Sequence, residues 1–283
     1  MLSTFKYYKP QTLQEANQFL TQNDAAYVLA GGTDLMILLR RNFIDAKHIV
    51  DIKAIPEMDQ LSYSDEGGAE IGARVVVNRL IGTDWVKEKY PALHQACETL
   101  ASHQLRNRAT LVGNICNASP GADLPPSLLV YDATVKIAGV DGERDVKLSE
   151  FFTGVKKTVL QKGDLVVSVH LPPPGPNDKS VYLKQSRLKG HDLATVGVAC
   201  RKNGEGRVSA AICAVAVTPL RLTELEKGLN EGELDEEKIL WAAEEIQKHI
   251  KPISDVRSSA EYRKHIAGVL LKRGLRLVNT KEG

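Results

Sequence analysis

The sequence has no long apolar run, no surplus of either charge and few cysteines. Each shortage removes a class of function. No apolar segment approaches the roughly 20 residues that span a bilayer, and the stretch before Pro10 carries no signal-peptide core. These features read as a cytoplasmic protein. Lys and Arg (37) nearly balance Asp and Glu (35), for a net charge of +2. That balance argues against a nucleic acid or a membrane surface as the main partner. The four cysteines, Cys97, Cys116, Cys200 and Cys213, include no C-x-x-C pair. That spacing marks zinc, redox and iron–sulfur sites, so the four read as small buried hydrophobes. The seven histidines form no H-E-x-x-H helix, and the chain holds neither a G-x-x-x-x-G-K-S/T loop nor G-x-G-x-x-G. The P-loop and the ordinary Rossmann fingerprint are both absent.

What is present centres on Val28-Leu29-Ala30-Gly31-Gly32-Thr33-Asp34-Leu35. Residues 26–30 read as a buried strand, and residues 35–41 as a helix. A strand, a Gly-Gly turn, a hydroxyl or carboxylate cap and a helix start together build an anion site. The glycines allow a sharp turn and expose N–H groups with no Cβ in the way. A diphosphate would fit there without a lysine. The same residues also suit a plain βα turn in which Thr33 and Asp34 only cap the helix.

The length, 283 residues, suits one large or two modest domains. Thr12-Leu13-Gln14-Glu15 reads as a capping box opening a helix. Residues 47–52 read as the next strand, so residues 1–52 form a βαβ-like unit. Residues 57–73 read as two strands about a Gly67-Gly68 turn. Residues 78–86 and 91–102 read as helices, residues 128–138 as helix to strand, 146–152 as a strand-like edge and 164–171 as a clear strand. Pro172-Pro173-Pro174-Gly175-Pro176 can join neither helix nor sheet, and so marks a domain boundary. Three strand candidates follow at 180–185, 194–202 and 208–217, with Asn203-Gly204-Glu205-Gly206 as a hairpin turn. Two helical patterns close the chain, one capped by Asp235 and one opened by a Ser258-x-x-Glu261 box. Strands followed by helices imply an α+β domain with helices on one face.

Residues 103–126 are too polar for a core element and too apolar for a disordered loop. Thr110, Gly113, Asn114, Asn117, Ser119 and Asp123 place small donors and acceptors in a row. Such a stretch wraps a polar ligand, or satisfies itself through a turn network.

The two glycine-bearing stretches together resemble the FAD-binding medium subunits of the molybdenum hydroxylases, the xanthine and carbon monoxide dehydrogenase family. The resemblance covers essentially the whole chain. Its blocks are residues 29–35, Ile71-Gly72-Ala73, residues 106–123, Phe151-Phe152-Thr153-Gly154, residues 192–199 and residues 258–263. Two departures stand out. Val112 replaces the first of a Gly-Gly pair, and Arg74-Val75-Val76 stands where hydroxyl residues are common.

The resemblance implies an α+β fold. An FAD-binding domain of the p-cresol methylhydroxylase/vanillyl-alcohol oxidase type would span residues 1–175, in subdomains of about 1–55 and 56–175. A C-terminal three-stranded antiparallel sheet packed with helices would span 176–283. It implies FAD on this chain, with the diphosphate across Val28, Leu29, Ala30, Gly31, Gly32, Thr33, Asp34 and Leu35, held mainly by backbone N–H groups. Thr110, Gly113 and Asn114 would form the opposing loop, and Asp123 would bind the adenosine end. Leu100 and Val166 would make apolar contacts, and Lys184 would lie near the flavin. Molybdopterin would sit on a large partner subunit and two 2Fe–2S clusters on a small one, in a heterotrimer or its dimer. Electrons would run from the clusters through FAD to an external acceptor. No side chain here need be a general base. His191 is either a proton donor beside the flavin or an exposed loop residue. A stand-alone flavoenzyme such as an enolpyruvylglucosamine reductase, and a scaffold that has lost FAD, are the competing readings.

Overall fold

The structure is a computed structural model and describes residues 4–188 and 190–280. Lys189, in the loop that carries His191, lies outside the described residues.

The chain opens with β1 (Lys6–Tyr8), α1 (Leu13–Gln22), β2 (Ala26–Leu29), α2 (Leu35–Arg40) and β3 (His48–Asp51). The three strands form a parallel sheet in the order β1-β3-β2. Thr12 caps α1 as its spacing implies, its hydroxyl accepting from the Glu15 N–H at 3.2 Å. In a parallel sheet all strands end on one edge, so the β2–α2 turn and the residues after β3 share that edge.

A five-stranded antiparallel sheet follows, in the order β4-β5-β10-β6-β7. It is built from β4 (Leu61–Ser64), β5 (Gly68–Gly72), β6 (Thr134–Gly139), β7 (Gly142–Lys147) and, after a small hairpin of β8 (Phe152–Gly154) and β9 (Lys157–Thr158), β10 (Leu165–Leu171). Between β5 and β6 lie α3 (Val77–Ile81), α4 (Asp84–Lys89), α5 (Pro91–Thr99), α6 (His103–Arg106), α7 (Leu111–Cys116) and α8 (Leu124–Val130). One large core joins this sheet to α3, α4, α5, α7 and α8.

Three expectations fail here for local reasons. The helix read over 78–86 is two helices, because Gly82 closes the first. The strand-like edge at 146–152 turns into α9 (Leu148–Phe151). Leu148 and Phe151 are both fully buried, a spacing of three that suits a helix. The stretch 103–126 holds short helices. Ser102 and Thr110 cap α6 and α7 through bonds from the Leu105 and Gly113 N–H groups.

The remainder is an antiparallel sheet of β11 (Lys179–Gln185), β12 (Val196–Lys202), β13 (Val208–Cys213) and β14 (Leu220–Arg221), followed by α10 (Thr223–Leu229), α11 (Glu236–His249) and α12 (Ala260–Asn279). The sheet therefore has four strands, the last only two residues long. Helices also cover both of its faces. Val181, Val198 and Ile212 join the core against α11 and α12, while Tyr182, Ala199 and Ala211 join the large core that contains α5 and α8. Burial on both sides explains the nearly continuous apolar run of β12 and β13. The cap of α12 is Ser259, one residue later than the box implies; Ser258 bridges to Asp255 instead. Among the described residues no helix is long and apolar enough to cross a membrane.

Candidate functional site

The β2–α2 turn is fixed by its two glycines. Gly32 has φ +77°, a conformation that side chains disfavour, and a Cβ there would lie 2.9 Å from Leu29 Cδ1. A Cβ on Gly31 would lie 1.8 Å from the Arg108 carbonyl oxygen, so Gly31 packs backbone to backbone on the residues before Thr110. Among the described residues, none accepts from the N–H groups of Gly32, Thr33 or Asp34. Three consecutive unpaired N–H groups at a glycine turn form a concave donor surface suited to an anion. The helix behind it is short, so its dipole adds little.

Asp34 does not cap α2 with its side chain. Its carboxylate accepts instead from Asn117 Nδ2 at 2.8 Å, and Asn117 Oδ1 accepts from Lys156 Nζ at 2.8 Å. Burial lowers the Lys156 ammonium pKa, and the Asp34 charge opposes that shift. This relay ties the parallel sheet to α7 and the β8–β9 turn.

The opposing stretch is ordered by α7. The Gly113 N–H is engaged by Thr110 Oγ1 at 2.9 Å, so it is not a free donor. Asn114 Oδ1 is buried and has no partner among the described residues. A buried acceptor without a partner calls for a donor, such as a hydroxyl or N–H group of a polar ligand. Val112 lies inside the large core at a helical position, where the freedom of glycine is not needed.

Asp123 opens α8 and is buried. Its Oδ1 accepts from the Tyr182 hydroxyl at 2.9 Å and its Oδ2 from Lys184 Nζ at 3.0 Å. Burial pushes the Asp123 carboxyl above its ordinary range; the Lys184 ammonium and the Tyr182 hydroxyl oppose it. Lys184 also donates to the Thr99 carbonyl at 3.1 Å. The Arg106 guanidinium bonds the carbonyls of Glu98, Leu100 and Ala101 at 3.1, 3.0 and 3.2 Å. Two cations thus satisfy the open C-terminal end of α5 and hold Leu100 in place.

The structure thus brings Gly31 against Arg108 beside Thr110, and Asp123 together with Lys184, Thr99 and Leu100. Asp123, expected at the adenosine end, and Lys184, expected near the flavin, thus form one pair 3.0 Å apart. Leu100 and Val166 are buried, whereas Val28 is 38% exposed near the end of its strand. His191 is an exposed loop residue. Tyr182, Arg106 and Lys156 had no assigned role in the sequence reading. Tyr182 had a usable signal, since it lies two residues before Lys184 on one strand and so shares its face. Lys156 had none, because it meets Asn117 only through the fold. Among the described residues no group of three or more His, Cys, Asp or Glu could hold a metal ion.

Comparison with known proteins gives a consistent result. Residues 3–174 match the family model for the FAD binding domain in molybdopterin dehydrogenase, and residues 181–278 that for the CO dehydrogenase flavoprotein C-terminal domain. The glyceraldehyde dehydrogenase medium chain of Sulfolobus acidocaldarius is 33% identical over 97% of this chain and 98% of its own length. The carbon monoxide dehydrogenase medium chain of Hydrogenophaga pseudoflava is 32% identical, with 96% of each chain covered. The solved structure of the Hydrogenophaga pseudoflava carbon monoxide dehydrogenase lacking the Mo-pyranopterin moiety superposes with a TM-score of 0.94 at 30% identity, covering 98% of both chains. That of quinoline 2-oxidoreductase from Pseudomonas putida 86 gives 0.90 at 28% identity, again over 98% of both. The chain therefore belongs to the family of FAD-binding medium subunits of the molybdopterin dehydrogenases.

Proposed function

We propose that this chain carries one FAD, bound non-covalently, within a cytoplasmic multi-subunit molybdenum hydroxylase. In that complex it relays electrons from 2Fe–2S clusters on a small partner subunit to an external acceptor. A large partner subunit holds molybdopterin and oxidises the substrate, in a heterotrimer or its dimer. The observation that carries this reading is the run of unpaired N–H groups at Gly32, Thr33 and Asp34, packed against the stretch that holds the orphan Asn114 amide.

FAD supplies the electron-accepting and electron-donating chemistry, and the protein binds and tunes it. Val28, Leu29, Ala30, Gly31, Gly32, Thr33, Asp34 and Leu35 hold the diphosphate through their backbone. Thr110, Gly113 and Asn114 form the facing wall; Thr110 shapes it by capping α7, and the Asn114 side chain gives the polar contact. Leu100 and Val166 give apolar surface. Lys184 serves the flavin end, and Asp123 fixes the position of its ammonium. The domains are proposed as residues 1–175, with subdomains of about 1–55 and 56–175, and residues 176–283. The acceptor approaches between them, near Leu188 and Asp192.

Co-expression with the two partner subunits, followed by a metal and flavin count on the purified complex, tests the division of labour. The complex should hold molybdenum, iron and flavin and oxidise substrate. The isolated chain should hold flavin alone and pass electrons from a small donor to a dye. An isolated chain that purified with molybdopterin, or oxidised a purine, an aldehyde or carbon monoxide, would overturn it.

A further inference from the structure

A second feature adjoins the two glycine-bearing stretches. A cleft of about 260 Å³ is lined by Gly31 and Thr110, four cationic side chains (Lys53, Arg74, Arg79 and Arg108) and a single carboxylate, Asp59. Two of the cations are neutralised locally. Arg79 pairs with Asp59 at 3.2 Å, and Lys53 with Asp51 at 2.7 Å. The other two are not. Arg74 makes one long contact, 3.5 Å to the Ile55 carbonyl, and no carboxylate among the described residues pairs with it. Arg108 donates no side-chain hydrogen bond to any described residue.

Both arginines are anchored through their main chains. The Arg108 carbonyl seats on Gly31, and the Arg74 N–H donates to the Met58 carbonyl at 2.8 Å. Arg74 and the exposed Arg108 thus line one opening from fixed backbone. Arg74 is half-buried, and a half-buried guanidinium with spare donors carries a desolvation cost that an anion would relieve. Two unpaired forks in a cleft match the several oxygens of a diphosphate better than a single carboxylate.

We propose that Arg74 and Arg108 bind a diphosphate group in this cleft. The diphosphate has two sources, the FAD of the proposed function or a second nucleotide that docks behind the same loops. Only the first source rests on the FAD reading.

Calorimetric titration of inorganic pyrophosphate and of ADP into the full chain, flavin-free and flavin-loaded, tests this. Wild type should bind pyrophosphate saturably and more weakly as salt rises. The double variant R74M/R108M should bind it about tenfold more weakly or worse, and R74K/R108K, which keeps charge without the fork, should lie between. If FAD loading blocks pyrophosphate and R74M/R108M also weakens FAD, the diphosphate is that of FAD. If loaded protein still binds ADP and FAD affinity is unchanged, it belongs to a second nucleotide. Pyrophosphate binding by a chain that takes up no FAD would sink the proposed function and leave this inference standing. No pyrophosphate binding by wild type, or equal binding by a folded R74M/R108M, would overturn it.

Discussion

Asp123 and Lys184 form a buried ion pair, 3.0 Å long, between the first turn of α8 and the first strand of the C-terminal sheet. It spans the junction between the polar stretch around α7 and the sheet that covers it. Its side chains are 7% and 5% exposed, so neither charge is well served by water. The pair is a coupling between the two halves of the molecule, and Tyr182 completes it.

Removing one partner should cost more than removing both. Lys184→Met leaves the Asp123 carboxylate buried with only the Tyr182 hydroxyl, and should destabilise the chain by about 3–5 kcal/mol. The double variant D123L/K184M should recover part of that loss. Denaturant unfolding of the single and double variants measures it. A double-variant cost equal to the sum of the two single costs would show that the pair contributes no coupling. Asp123→Asn should shift the visible spectrum of the flavin-loaded protein and leave the ADP affinity of the flavin-free protein unchanged. An effect on ADP alone would return Asp123 to the adenosine end.

Gly31→Ala tests the seating of one loop on the other. The new Cβ would lie 1.8 Å from a backbone oxygen, so the two stretches must separate. A loss of about 3 kcal/mol and of most flavin occupancy is expected. Gly175→Ala, whose Cβ would meet open space, is the control and should change neither. Gly32→Val should also cripple flavin binding, through its φ of +77°. Asp34→Asn keeps the oxygen that Asn117 bonds, and should be milder. Unchanged flavin occupancy in Gly31→Ala would remove the paired loops from the account.

Much of this was legible because local rules and global fold agree. The Thr12 and Asp235 caps, the Gly67-Gly68 turn and the Asn203 to Gly206 hairpin are local chemistry, and each shaped the element it was read from. The stretch 103–126 misled because three short helices, two of them capped by single hydroxyls, leave too little periodicity to detect. The site's supports were harder still. Asn117 reaches Asp34 from 83 residues away, and Arg106 satisfies a helix end that no pattern in its own neighbourhood reveals.

Acid should unfold the C-terminal half through Asp255. Burial raises the Asp255 carboxyl, but hydrogen bonds from Arg257 and Arg263 outweigh it and hold the group well below the ordinary range. Because its folded pKa is depressed, its contribution is present above about pH 4, the unfolded value, and fades as pH falls below that. Arg263 is 1% exposed, so Asp255→Asn leaves a buried cation with neutral acceptors only, among them the carbonyls of Thr195 and Ala214, and no counter-charge. A loss of about 3 kcal/mol near pH 7 is expected, with a flatter stability curve between about pH 4 and pH 2. A curve that parallels wild type would show that Asp255 does not carry the acid sensitivity.

The four thiols should be inert in folded protein. Burial raises Cys97, Cys116 and Cys213 each to about 12, and pushes Cys200 up as well. The thiolate is the reactive form, so a disulfide reagent at pH 8 should titrate no thiol until the chain is unfolded, and then all four. A fast-reacting thiol in the folded chain would point to an opening at Cys116, which is only half-buried.

The most direct test of the account is the visible spectrum of the purified chain, with flavin counted after mild denaturation. A yellow protein releasing one FAD per chain into solution is the expected result. A colourless, fully folded protein that takes up no added FAD, or flavin that stays attached to the denatured chain, would contradict it.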